Sequence, residues 1–173
     1  ATLICLINSV RQIKDRKGKP LTFINFNDGT GTMDGIVSSE ILENCHDILK
    51  EGKILSLKGT VEVDDYRTGD LGGLMFRMRV KEVLTVDSEL DKRIKEIIID
   101  ISNSKAVSLE KFSEYLDSFN KDFWTDGSCR LNVRVTSEKS EAIIDIGDEY
   151  KFKPSLENFF SLEDVFGKNI IEI

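Results

Sequence analysis

Cysteine is scarce in this 173-residue chain, and the usual signatures of chemistry are missing. Cys5, Cys45 and Cys129 are an odd number at wide spacing with no Cys-x-x-Cys pair. That pattern argues against a disulfide framework or a structural zinc site and predicts three buried free thiols in a reducing, cytoplasmic setting. No apolar run approaches the roughly 20 residues that cross a bilayer, and the N-terminus lacks a charged-then-apolar export pattern, so no membrane contact is expected. The one histidine, His46, lies in a helical pattern, and there is no Gly-x-Ser-x-Gly, His-Glu-x-x-His or P-loop. Adjacent Asp64 and Asp65 point to opposite faces of a strand and do not readily chelate one ion. No catalytic residue, metal or cofactor is therefore predicted. The remaining composition, 40% hydrophobic and 32% charged, excludes disorder and collagen and suffices for one core or two small ones. The chain opens on Ala1 and enters a strand at once, so a piece of a longer polypeptide is expected.

Charge divides the chain. Residues 1–84 hold 12 of the 24 Lys/Arg and 12 of the 31 Asp/Glu, so the net charge of −7 belongs entirely to the remainder. A pI near 4.9 would argue against a polyanionic partner, but a neutral first half leaves room for a local basic patch.

The first half reads as a small barrel. Residues 2–13 are β-branched and apolar, and a charged loop follows, Lys14-Asp15-Arg16-Lys17-Gly18-Lys19-Pro20. Residues 21–26 and 32–37 form a hairpin around Asn27-Asp28-Gly29-Thr30-Gly31. Ser38 or Ser39 then caps a helix whose Ile41, Leu42, Cys45, Ile48 and Leu49 recur at helical spacing up to Gly52. Residues 53–63 and 74–84 alternate as two further strands around a Gly- and Asp-rich loop. The order β-β-β-α-β-β predicts a five-stranded OB-fold barrel.

Parity on these strands gives the functional reading. If Ile24 and Phe26 point inward, Phe23 and Asn25 share the open face, where an aromatic ring is a stacking platform for unpaired bases. In the last barrel strand Arg77, Arg79 and Lys81 alternate with Phe76, Met78 and Val80, which predicts a line of cations. Lys14, Arg16, Lys17 and Lys19 concentrate charge on a groove-flanking loop, and Tyr66 and Arg67 sit on the other such loop beside Asp64, Asp65 and Asp70. With about three to five phosphate contacts, binding to a single strand would show a log–log salt slope near −2 to −3.5.

Residues 97–101 read as a strand, 109–119 as a helix burying Leu109, Phe112, Leu116 and Phe119, and 131–135 with 142–146 as a hairpin. A short strand at 150–152, a helix opened by Pro154-Ser155 with Leu156, Phe159 and Phe160, and a strand at 169–173 complete a β-α-β-β-(β)-α-β unit. The expected organisation is an OB barrel at 1–86, a charged connector at 87–96 and a small α+β domain at 97–173.

The stretch Phe23-Ile24-Asn25-Phe26-Asn27-Asp28 with Gly31, then Leu49-Lys50-Glu51-Gly52-Lys53-Ile54-Leu55, Gly59-Thr60-Val61, Asp64-Asp65-Tyr66 and Gly72-Gly73-Leu74, resembles the OB domain of bacterial DNA polymerase III alpha subunits. In that family the last two pieces are nearly adjacent, whereas here residues 67–71 intervene, and Gly35 stands where an apolar residue is usual. The order of elements after residue 84 agrees with the terminal region of the same family. The resemblance implies a non-catalytic part of a DNA-directed DNA polymerase acting in DNA replication. The barrel would bind single-stranded template DNA, and the terminal domain would bind the tau subunit of the clamp loader within the rest of the replicative holoenzyme. Tyr150 and Ile171 are the candidate docking residues. Two other readings compete: the anticodon-binding OB domain of aspartyl- and lysyl-type tRNA synthetases, which shares the first motif, and a protein-interaction OB module that binds no nucleic acid.

Overall fold

A computed structural model describes residues 1–14, 18–64, 75–101, 109–118, 127–136, 139–166 and 171–172. The chain divides into two compact units, Ala1–Val86 and Asp87–Ile173.

The first unit is a closed barrel of β1 (Thr2–Lys14), β2 (Pro20–Asn27), β3 (Thr32–Ser38), β4 (Ile54–Val63) and β5 (Phe76–Thr85), in the spatial order β1-β2-β3-β5-β4. All neighbours are antiparallel except β3 and β5, which run parallel over Asp34↔Arg77, Gly35↔Met78 and Ile36↔Arg79. β1 pairs with both β2 and β4, so no barrel edge is left open. Ile7, Ile24, Phe26, Val37, Leu57 and Met78 fill the interior, each removing a large apolar surface from water, worth about 1.5–3 kcal/mol for a full side chain. Gly35 is required by this packing, because a Cβ there would lie 2.9 Å from Ile24 Cγ1 and 3.2 Å from Phe26 Cε1. An apolar side chain does not fit a position where its own strand neighbours already fill the barrel axis.

Helix α1 (Ser39–Glu43) follows β3, capped by the Ser38 hydroxyl, which accepts a hydrogen bond from the Ile41 amide. It is shorter than the spacing to Leu49 predicts. Asn44 and Cys45 donate to Ile41 and Leu42, three residues back, so the helix tightens into turns that still bury Cys45 and Leu49. Gly52, at φ 79°, reverses the chain into β4.

The second unit begins with a correction. Residues 87–96, expected as a connector, contain helix α2 (Val86–Arg93), and Leu90 and Ile94 pack into the second unit's core. Its charges are ordered rather than random: Asp87 and Glu89 occupy the first turn and Lys92 and Arg93 the last, as the helix dipole favours, and Glu89 accepts from Arg93. β6 (Glu96–Asp100) then runs parallel to β7 (Cys129–Thr136), which pairs antiparallel with β8 (Glu141–Asp145) and β9 (Lys151–Phe152). β10 (Ile171–Glu172) closes the other side against β6, giving the order β10-β6-β7-β8. Helix α3 (Leu109–Ser118) buries Phe112 and Leu116. Helix α4 (Leu156–Phe166), opened by the Ser155 hydroxyl accepting from the Asn158 amide, buries Leu162 and Phe166. The expected apolar face of α4 is displaced: Phe159 is half-buried and stacks edge-on to Phe152 at 5.0 Å, but Leu156 and Phe160 are exposed. Phe112 and Tyr115 meet Phe166 at 5.4 and 5.8 Å, which joins the two helices through aromatic contacts.

The three thiols are buried, as expected. Burial pushes Cys5 and Cys129 up to about 11 and raises Cys45, so all three are poor nucleophiles. No helix among the described residues is long and apolar enough to cross a membrane. No cluster of three metal-ligating side chains occurs among them.

Candidate nucleic-acid interface

The pleat of β2 sorts its side chains as alternation predicts. Thr22, Ile24 and Phe26 are buried, while Phe23 and Asn25 are half-buried on the opposite, outward face. β3 supplies Asp34 and Ile36 to that face, as the register partners of Asn25 and Phe23.

β1 contributes what parity alone does not show. A bulge at Asn8 shifts the register between Ile7↔Phe26 and Ser9↔Asn25. Without it, Ser9 and Arg11 would share the inward parity of Cys5 and Ile7. With it, Arg11 stands opposite Phe23 on the outer face. Ser9, Arg11, Phe23, Ile24, Asn25 and Asp34 line a shallow concavity of about 310 Å³. Arg11 is an exposed cation beside a ring, and no charge run in the sequence marks it.

A chain of amides fixes the floor of this concavity. Asn8 Nδ2 donates to Asn25 Oδ1 at 2.9 Å, and Asn25 Nδ2 donates to Asp34 Oδ1 at 2.6 Å. Asn25 is thus held in one orientation by a donor on one side and a carboxylate on the other. Its polar edge is committed before any ligand arrives, so Phe23 and Arg11 are the groups that a base and a phosphate would meet.

Toward β5 the face carries a lock rather than a line of free cations. Glu62 on β4 accepts from Arg77 Nε at 3.0 Å, from Arg79 Nε at 3.3 Å and from Arg79 Nη2 at 3.2 Å. Arg77 Nη1 also lies 3.5 Å from the buried Asp64 carboxylate, and the Arg77 side chain is only 18% exposed. Arg79 is 59% exposed and reaches solvent past Glu62. The two guanidinium groups, Arg79 foremost, hold the Glu62 carboxyl below the usual carboxylate range. Lys81 is exposed but sits in a β5 bulge, where Lys58↔Glu82 and Gly59↔Val80 skip it. The pairing is a matter of cross-strand register, which alternation within β5 does not reveal.

Among the loop candidates, Lys14 and Lys19 are exposed at the ends of β1 and β2. Arg16, Lys17, Tyr66 and Arg67 lie outside the described residues. Asp28 acts in the β2–β3 turn, where its carboxylate accepts from the Thr30 amide and hydroxyl at 2.9 and 2.7 Å and from the Gly31 amide. Those bonds lower its pKa. The pattern Phe23-x-x-Phe26-x-Asp28 therefore joins an outward ring, a core ring and a turn-closing carboxylate.

In the second unit, Tyr150 is half-buried against the core, and its hydroxyl donates to Asp117 Oδ1 at 3.3 Å. Burial and then the Asp117 carboxylate raise that hydroxyl's pKa. Its tip is tied to α3, which fits a core-edge residue better than a free docking side chain. Ile171 pairs with Ile99 through the backbone, and its side chain lies outside the described residues.

Comparison with known proteins agrees with this geometry. Residues 5–86 match the tRNA anti-codon family model, described as an OB-fold nucleic acid binding domain. Three proteins named DNA polymerase III subunit alpha are similar to the chain. That of Haemophilus influenzae is 24% identical over 100% of the chain, that of Pseudomonas aeruginosa 24% over 97%, and that of Vibrio cholerae 25% over 99%. In each case the chain spans 14% of the relative's length. The match at the barrel alone would fit many OB proteins, but the same named subunit accounts for the α+β unit as well. The chain is thus similar over its whole length to part of DNA polymerase III subunit alpha, and its first unit has the OB fold that the nucleic acid binding family model describes.

Proposed function

We propose that this chain is a non-catalytic module of a replicative polymerase whose barrel holds single-stranded template DNA and whose second unit docks the tau subunit of the clamp loader. The observation that carries the barrel's part is the placement of Phe23 on the outer face with Arg11 directly opposite it across the β1–β2 pair. A base stacked on the Phe23 ring leaves its phosphate beside a cation, which is the minimal unit of sequence-tolerant single-strand binding. Phosphate contacts position the strand without reading it, and the ring accepts any base because every base has a π-face. The tau-docking part of the reading is supported by the resemblance of the second unit and by the similarity to the polymerase subunits named above.

The test is fluorescence anisotropy of a labelled single-stranded DNA, with duplex DNA and RNA of the same sequence alongside. Wild type is expected to prefer single-stranded DNA without regard to sequence, and Phe23→Ala to lose about 1–3 kcal/mol, or roughly 5- to 150-fold. A strong preference for a short RNA triplet would move the assignment to an anticodon-binding module. No binding to any of the three would leave a protein-interaction module, a reading that the carboxylates Asp34, Glu62 and Asp64 on or beside this face favour.

A further inference from the structure

β8 (Glu141–Asp145) is an edge of the second unit's sheet and pairs with β7 alone among the described strands. All five of its residues are exposed, including Ile143 at 52% and Ile144 at 49%. Sheet edges are ordinarily blunted by an inward charge, a lysine, a proline or a bulge, because an open edge recruits another strand. β8 has none of these between its ends. Its sequence, Glu-Ala-Ile-Ile-Asp, puts apolar residues on both faces and a carboxylate at each end.

We propose that β8 is a docking edge that takes an extended segment of a partner protein as an added antiparallel strand, with basic residues four apart flanking an apolar centre. The charge pattern selects the occupant. If a second copy of this chain added antiparallel about Ile143, each Glu141 would face an Asp145, and two like-charged cross-strand pairs would oppose the contact. A strand with Lys or Arg at those two positions reverses both interactions. Ile143 shares the Glu141 and Asp145 face, so the partner's central residue on that face is apolar. The Arg134 guanidinium lies 3.0 Å from the Glu141 carboxylate as an ion pair, and Asp145 accepts from the Gly147 amide at 2.8 Å, so the Asp145 carboxylate is oriented in advance and the Glu141 carboxylate is anchored near the edge by charge. Backbone pairing would supply the affinity and the two end charges the register, as in other modes of strand addition. The inference rests on reading Asp87–Ile173 as a docking unit, and names the edge and the partner chemistry that reading lacks.

The probe is a capped peptide, Lys-Val-Ile-Val-Lys, titrated into the ¹⁵N-labelled full chain, with Glu-Val-Ile-Val-Glu as its charge-reversed counterpart. The expected result is amide shifts and slowed hydrogen exchange confined to β8 and its hairpin, with the acidic peptide weaker by at least about fivefold. Ile143→Lys, at an exposed site, should keep the melting temperature and abolish those shifts. Equal binding of the two peptides, shifts elsewhere in the chain, or concentration-dependent dimerisation of wild type through the same amides would each overturn the proposal. A parallel titration with the tau subunit separates this inference from the reading it rests on. Tau binding that survives Ile143→Lys, with no peptide response, refutes the edge and spares the docking role. A β8-specific response to the basic peptide with no tau binding refutes tau and spares the edge.

Discussion

Glu62 masks positive charge on the face proposed to hold DNA, so replacing it should strengthen binding. In Glu62→Gln the carboxylate shared by Arg77 and Arg79 is gone, but the cross-strand amide keeps the side chain's shape. Arg77 remains near Asp64 and mostly buried, so the cation released to solvent is Arg79. One added phosphate contact on a single strand steepens the log–log salt slope by about 0.7. The same relation gives a gain of about eightfold at 50 mM salt that shrinks to about threefold at 200 mM. Because both arginines hold the Glu62 carboxyl below the usual range, the lock stays closed throughout the neutral and mildly acid range, so wild-type affinity should not rise as pH falls from 8 to 5. The assay is anisotropy of labelled single-stranded DNA at several salt concentrations, with thermal melts to confirm that the variant is folded. Unchanged or weaker binding by a folded Glu62→Gln variant would place β5 off the path of the strand and refute the role assigned to this face.

Gly35→Val should destabilise the barrel by about 1–3 kcal/mol in urea unfolding, because its first added carbon meets Ile24 and Phe26 within the core; a neutral result would mean that those side chains move aside at no cost. Thr22 has the opposite problem: its hydroxyl is fully buried with no hydrogen-bond partner among the described residues, so Thr22→Val, nearly isosteric, should raise stability by about 1 kcal/mol in the same assay. The Asp28 carboxyl has a folded-state pKa below its ordinary 3.8, so its contribution is complete above that value and disappears as pH falls through the lower folded-state value. Wild type should therefore unfold at higher urea than Asp28→Ala at pH 6, and the two midpoints should converge as the pH drops below 3.8.

What the sequence makes legible is what depends on neighbours along the chain. Alternation in β2 and β3 places Phe23 and Asn25 outward and Ile24 and Phe26 inward, because an uninterrupted strand has no other option. The elements that misled depend on partners far away. The Asn8 bulge turns Arg11 outward, and it shows only in the register of β1 against β2. The Glu62 lock depends on β4 and β5 being in register over Val63↔Phe76 to Gly59↔Val80. Residues 87–96 look like a connector by charge content, yet the order of those charges, acids first and bases last, is a helix signal. In α4 the first apolar residues stay exposed because the buried face runs through Phe159, Leu162 and Phe166.

The outer face of the barrel is thus close to electrically balanced, and this bears on how it would hold DNA. Arg11 and Arg79 present positive charge to solvent, Glu62 and Asp64 answer Arg77 and part of Arg79, and Asp34 is spent on the Asn25 amide. A face of free arginines and lysines would grip a backbone mainly through released counterions and would hold it hardest at low salt. In the proposed mode the ring of Phe23 would carry more of the free energy, and stacking is far less sensitive to salt. With Arg77 and Arg79 both held by Glu62, about three phosphate contacts from Arg11 and the cations of the first loop give a slope near −2, the shallow end of the range that the sequence predicts. A slope steeper than about −3.5 would mean that the carboxylates are displaced on binding and that the lock opens by itself. The shallow slope, if found, describes a contact broken one base at a time, which is compatible with a strand that has to slide across it.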